Sequence, residues 1–289
     1  MSGGDVGLAV CVAVLWGLAF VATRVGLDSF SPAQLAMLRF AVASLPVFAL
    51  PRPAVPWPLL AVTGLTLFGG QFILQFLGMV HGMPPGLASL VVHTQAFFTV
   101  LFAAIVLHER PTPRQLGGMA IAFAGLVLIA GTAGADLRLV GLALTLGSAV
   151  SWGIGNIFLK RLGRVPQLDL MIWLSLVPPL PALILAVAAD GPGAVGAALA
   201  RAPWQAWAAV LYLGLIATGV AYTLWGRLLG RYPVVTVAPF ALLVPFVGAL
   251  ASALAFGERF GPLRLAGMGC VMIGLAVIVL PSRSGSVAA

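Results

Sequence analysis

A chain of 289 residues that is 61% hydrophobic and only 8% charged, with mean hydropathy +1.12, cannot hide its apolar side chains in one soluble core. Uninterrupted apolar runs of roughly 18 to 24 residues exclude a β-barrel, whose strands would alternate over about 10, so the fold class is an all-α integral membrane protein. The formal charge of +8 is scattered one to three residues per connection, without a patch or interleaved aromatics; this argues against nucleic acid as a partner.

Charged and Pro/Gly-rich breaks divide the chain into ten predicted spans. They fall at roughly 6–26, 32–50, 58–80, 84–107 and 113–131, then at roughly 138–160, 168–188, 204–226, 234–255 and 262–280. The first lacks a basic leader and a cleavage signature, so it is expected to be a retained helix; Trp16, Phe20 and Thr23 share one of its faces. Arg39, in the second, is expected to snorkel or to pair with a helix-end carbonyl, the alternative being contact with an anionic substrate group. Gln71 and Gln75 share a face of the third span, and Ser89 and His93 a face of the fourth. Gly118 and Gly125 mark a small-residue face on the fifth. Ser148, Trp152 and Asn156 form a stripe on the sixth, and Thr218, Tyr222 and Trp225 one on the eighth. The longest connection, Asp190 to Pro203, is rich in Gly and Ala and leaves no room for a soluble domain. Pro239 and Pro245 each remove a backbone donor from the ninth span, which makes them hinge candidates. Gly267 and Gly274 give the tenth a second small-residue face. Cys11 and Cys270 read as buried small hydrophobes, with neither a disulfide nor a metal site supported.

The second half repeats the first. Gly257-Glu258-Arg259 lies 149 positions after His108-Glu109-Arg110, with Pro262 on Pro113, Gly267 on Gly118 and Gly274 on Gly125. Trp152-Gly153 answers Trp16-Gly17 at an offset of 136. Two units, 1–133 and 134–289, each with an odd number of spans, must cross the membrane in opposite directions as an inverted repeat. Orientation follows from the basic residues. Arg52, Arg110, Arg114, Lys160, Arg161, Arg164, Arg227, Arg231 and Arg283 fall on the side of the N-terminus; Arg24, Arg138, Arg201, Arg259 and Arg264 fall on the other. The bias predicts both termini in the cytoplasm, against the votes of Arg24, Arg259 and Arg264. Glu109-Arg110 and Glu258-Arg259 are expected to cap or pin the helix turns at the membrane edges. The glycine faces are expected to join the two repeats or to form a dimer surface, the chain being a monomer or a weak homodimer.

A polar amide in hydrocarbon costs several kcal/mol unless paired or wet, so the polar stripes should face the bundle interior, either as a substrate cavity or as interhelical glue. All seven acids, Asp5, Asp28, Glu109, Asp136, Asp169, Asp190 and Glu258, fall in connections or at span ends. Without a midplane carboxylate, facilitated passage of an uncharged or zwitterionic solute is the leading expectation, with proton coupling through His93 as the alternative. Export of hydrophobic drugs competes on the same Trp and Phe content. An enzyme is not expected, because no nucleophile-base-acid set is present.

On Trp16-Gly17-Leu18-Ala19-Phe20, Leu38-Arg39-Phe40, Gly86-Leu87-Ala88-Ser89, Gln95-Ala96-Phe97-Phe98, Glu109-Arg110, Gly155-Asn156-Ile157-Phe158 and Gly230-Arg231-Tyr232, the chain resembles the EamA family of the drug/metabolite transporter superfamily. Within it the chain looks most like the cysteine- and O-acetylserine-exporting members. The resemblance implies ten helices in two inverted repeats, a cavity built from helices one to four and six to nine, and helices five and ten outside it. It further implies export of neutral amino acids and related metabolites across the bacterial inner membrane, with no cofactor. Gln95 joins Trp16, Phe20, Gln71, Gln75, Ser89, His93, Trp152, Asn156, Tyr222 and Trp225 as a candidate substrate-binding residue. Two departures stand out: His108, where the family carries glycine before its glutamate, and His93, where the cysteine-exporting members carry glutamine.

Overall fold

The computed structural model describes residues 1–134, 136–162 and 165–280, apart from the side chains of Val234 and Val235. Arg164, Arg283 and the C-terminal tail lie outside the described residues. Among those described there is no strand, and ten helices are long and apolar enough to cross a membrane. These are α1 Gly3–Leu27, α2 Pro32–Ala49, α3 Trp57–Val80, α4 Pro85–Val106, α5 Pro113–Ala130, α6 Leu139–Arg161, α7 Gln167–Asp190, α8 Trp204–Arg231, α9 Ala238–Phe256 and α10 Pro262–Val279.

Local chemistry explains the starts. Ser31 and Gln34 form a capping box at α2, and Thr112 and Gln115 form another at α5. Proline occupies the first turn of α2, α3, α4, α5 and α10, where its missing N–H costs nothing. Three boundaries differ from the sequence expectation. The Asp190–Pro203 connection contains a helix, Pro192–Arg201, because its alanines outweigh its glycines once Pro192 sets the first turn. α8 continues to Arg231, about a turn past its expected end. Val234–Val237 is a separate turn of helix, since Pro239 deprives the next segment of a donor and Ala238–Leu242 tightens into a 3₁₀ turn.

The irregularities obey the repeat. α3 contains a π-helical stretch at Leu65–Gly70, and α8 contains one at Tyr212–Val220. α4 narrows to a 3₁₀ turn at Val92–Thr94, the counterpart of Ala238–Leu242 in α9. α5 and α10 pack together through their glycines: a Cβ on Gly125 would lie 2.6 Å from the Gly267 carbonyl oxygen, and one on Gly267 2.8 Å from that of Gly125. Gly118 and Gly274 meet in the same way. The glycines are therefore consumed inside the chain, joining the two repeats, and do not form an exposed dimer surface. Cys11 is exposed and Cys270 half-buried, so the expectation of two buried thiols fails: with lipid outside, a small apolar side chain gains little from facing inward.

Candidate functional site

A cavity of about 280 Å³ lies between α1–α4 and α6–α9, and no residue of α5 or α10 lines it. That volume sits at the lower edge of the roughly 300–1,000 Å³ typical of small-molecule sites. Nine of the candidate residues line it: Trp16, Phe20, Gln71, Gln75, His93, Gln95, Trp152, Tyr222 and Trp225. Two do not. Ser89 is fully buried and donates to the carbonyls of Gly86 and Pro245, and Asn156 donates to Thr99 Oγ1 at 2.9 Å. Both are interhelical ties; their stripes continue past the cavity into helix contacts.

The non-α segments border the cavity, and Leu67, Val92, His93 and Ala241 line it from within them. In α3, Leu67 faces the cavity from within the π-helical stretch, and Gln71, Phe72 and Gln75 face it from the α-helical turns that follow. In α8 the Ala217 carbonyl accepts from Trp16 Nε1 at 3.0 Å, and the Tyr212 hydroxyl donates to the Leu15 carbonyl at 2.8 Å. These bonds hold Trp16 against Tyr222 and Trp225, with ring centroids 5.3 and 5.2 Å apart. In α4, His93 Nδ1 lies 2.7 Å from the Ser89 carbonyl oxygen. A carbonyl can only accept, so Nδ1 carries the proton and, in the neutral ring, Nε2 is an acceptor.

The polar lining is under-satisfied. Gln71 Nε2 donates to Gln75 Oε1 at 3.4 Å, but Gln71 Oε1, Gln95 Oε1 and Thr23 Oγ1 are buried without a hydrogen-bond partner. Each such group costs about 1–3 kcal/mol unless a water or ligand meets it. Arg39 also lines the cavity, contrary to the expectation that it would snorkel to its own end. Gly214 lets α8 press onto α2 there, and Thr218, in the π-helical stretch, receives the guanidinium. Gln167 and Met171, at the start of α7, complete the wall. Sequence spacing had no means of finding them, because neither belongs to a polar stripe.

One end of the cavity is sealed. The first half of α4 packs on the second half of α9, where Gly248 lies against Ser89 and Gly86 against Ala249, and Gly17 of α1 lies against Val247. Glu258, just past α9, accepts from the Gly86 N–H at 3.1 and 3.2 Å. Burial pushes this carboxyl above its usual range, and the bond from Gly86 opposes that. Glu258 thus pins the start of α4 in the other repeat, whereas its own turn had been the expectation. Its counterpart Glu109 pairs with Lys160 Nζ at 2.8 Å, and α5 is capped by Thr112 and Gln115 instead. Arg110 and Arg259 are exposed. The mirror pair, the second half of α4 and the first half of α9, makes no comparable contact among the described residues. Near the sealed end Thr23 and Gln75 are almost fully buried; toward the N-terminal end Leu159, Gln167 and Trp225 are partly exposed, so the cavity opens there. Pro239 and Pro245 flank the change from 3₁₀ to α geometry in α9, between open and sealed ends.

Comparison with known proteins agrees with this architecture. The EamA-like transporter family matches residues 5–131 and 139–280, one match per repeat. The chain is 42% identical over 98% of its length, and 97% of the relative's, to a Salmonella typhimurium protein named "Probable amino-acid metabolite efflux pump". An Escherichia coli protein of the same name is 41% identical over the same shares. A Streptantibioticus cattleyicolor protein named "Probable terminal-alkyne amino-acid exporter" is 33% identical over 95% of this chain and 92% of that one. A crystal structure 20% identical in sequence superposes with a TM-score of 0.65 over 96% of both chains, which shows a shared fold. With both repeats matched and the relatives covered nearly end to end, this multi-pass membrane protein belongs to the EamA-like transporter family.

Proposed function

We propose that the protein exports neutral amino acids and related metabolites across the bacterial inner membrane, by alternating access and without a coupling ion. The observation that carries this reading is a small cavity, sealed at one end, whose walls combine aromatic rings with unpaired neutral polar groups and a single guanidinium, that of Arg39, and contain no carboxylate. Such a lining fits an amino-acid-sized solute better than a polyanion. The names of the 42% and 33% identical relatives support the substrate class. With the N-terminus in the cytoplasm, as the basic residues favour, the cavity opens toward the compartment from which an exporter loads.

Purified protein in liposomes, assayed with labelled neutral amino acids, tests this: counterflow of at least one is expected, and none for the whole set sinks the reading. His93 supports a second reading, proton coupling, because its Nδ1 bond to Ser89 leaves Nε2 to bind a proton. Under an imposed proton gradient, unchanged flux supports uniport; acceleration abolished in His93→Gln supports coupling.

A further inference from the structure

The charge least accounted for lies inside the cavity. Arg39 is 4% exposed, and a guanidinium stays protonated in proteins, with five N–H donors and no acceptor. Two of those donors are used: Nε and Nη2 both reach Thr218 Oγ1, at 3.3 and 3.2 Å. The Thr218 hydroxyl donates its own proton to the Leu213 carbonyl at 2.8 Å, so its oxygen is committed as an acceptor for the arginine. One face of the guanidinium lies on the Phe72 ring, Cζ 4.0 Å from the centroid. Among the described residues no other acceptor and no carboxylate meets Arg39; the four ion pairs, Arg24–Asp28, Lys160–Glu109, Arg231–Asp5 and Arg264–Asp136, lie at helix ends. A buried charge held only by a neutral hydroxyl and the faces of two rings, Phe72 and, at 5.4 Å, Phe40, has not recovered its hydration. Elsewhere on the lining, Gln71 Oε1 and Gln95 Oε1 are acceptors without donors.

A cation short of an anion and acceptors short of donors, in one cavity, describe the complement of a zwitterion. Resting on the exporter reading above, we propose that Arg39 is the carboxylate anchor of the transport site, taking the α-carboxylate of the amino acid in a charge-assisted bond, while the ammonium group meets the neutral acceptors. The fixed Thr218 and Phe72 contacts orient the remaining edge of the guanidinium, and an arginine so held donates two parallel N–H bonds to a carboxylate. Arg39 then selects for an acid group, and the aromatic wall sorts side chains.

Trp16, Trp152 and Trp225 line the cavity and report its occupancy through intrinsic fluorescence. The probes are L-alanine, L-leucine, L-methionine and L-phenylalanine, the carboxamide of each, and 3-phenylpropionate as a carboxylate without an amine. The wild-type protein should bind an amino acid at least about tenfold more tightly than its carboxamide. Arg39→Lys should keep part of that preference and Arg39→Gln should lose it. A carboxamide that binds within threefold of its acid overturns the proposal even if no variant folds, and so does an Arg39→Gln protein that keeps the preference. If no amino acid binds but 3-phenylpropionate does, in an Arg39-dependent manner, the anchor stands and the amino-acid reading falls. If neither class binds the wild-type protein, the anchor falls too.

Discussion

His108 has φ +54° and Gly257 φ +68°, both left-handed, at the same place in the two repeats. The chain must reverse there after α4 and after α9; glycine does so freely, and a residue with a Cβ is strained by about 1–3 kcal/mol, partly offset by glycine's larger unfolded-state entropy. His108→Gly should therefore raise stability by about 0.5–1 kcal/mol, read as a higher melting temperature in detergent, and Gly257→Ala should lower it by a similar amount. This position was legible: the departure from the family pattern at His108 coincides with the one non-glycine residue of positive φ among those described. Arg39 was not. Depth along a helix says how far a side chain must reach to leave the membrane, not whether Thr218 and Phe72 wait for it on neighbouring helices. Ser89 and Asn156 were misplaced for the related reason that helical spacing fixes a face but not the helix which that face meets.

Among the elements, the glycine faces of α5 and α10 were readable because only a residue without a side chain allows two backbones to touch. Gly125→Leu places three extra carbons and a Cβ against the Gly267 carbonyl. It should cost about 1–3 kcal/mol of stability while leaving the substrate KM unchanged, since α5 contributes nothing to the cavity. A changed KM at wild-type stability would contradict that division of labour. The π-helical stretches of α3 and α8 and the 3₁₀ turn of α4 left no mark in the sequence; only the equivalent turn in α9 was announced, by Pro239. Close helix contacts accompany the two π-helical stretches. Gly214 in α8 presses on Val42 and the Arg39 carbonyl, and Gly64, just before the α3 stretch, presses on Val177 and the Leu174 carbonyl.

For the molecule as a whole, ten helices and the inversion followed from hydropathy and an odd count, but which end is sealed did not, because both ends have the same sequence plan. Both glutamates reach the other repeat, but Glu258 accepts from the backbone of Gly86 in α4, and Glu109 only pairs with the exposed Lys160 side chain of α6. In a background without Cys11 and Cys270, Ala249→Cys places a thiol against Gly86 inside the seal. It should label slowly with a membrane-impermeant maleimide. Adding Glu258→Ala should speed labelling about fivefold, the effect of roughly 1 kcal/mol lost from the sealed state, and Glu258→Gln, which keeps an acceptor, much less. Equal rates in all three proteins would show that Glu258 does not hold the end shut.

The lone guanidinium of Arg39 also bears on membrane voltage. Moving one elementary charge through 100 mV involves about 2.3 kcal/mol, so a carrier that moves net charge is strongly driven or braked by the cell's potential. A zwitterion bound at Arg39 crosses with its two charges cancelling, and the arginine itself stays on α2. If the proposed uniport of a zwitterion holds, valinomycin-imposed potassium potentials of either sign should leave amino-acid flux unchanged, and flux should follow the concentration of the solute on each side.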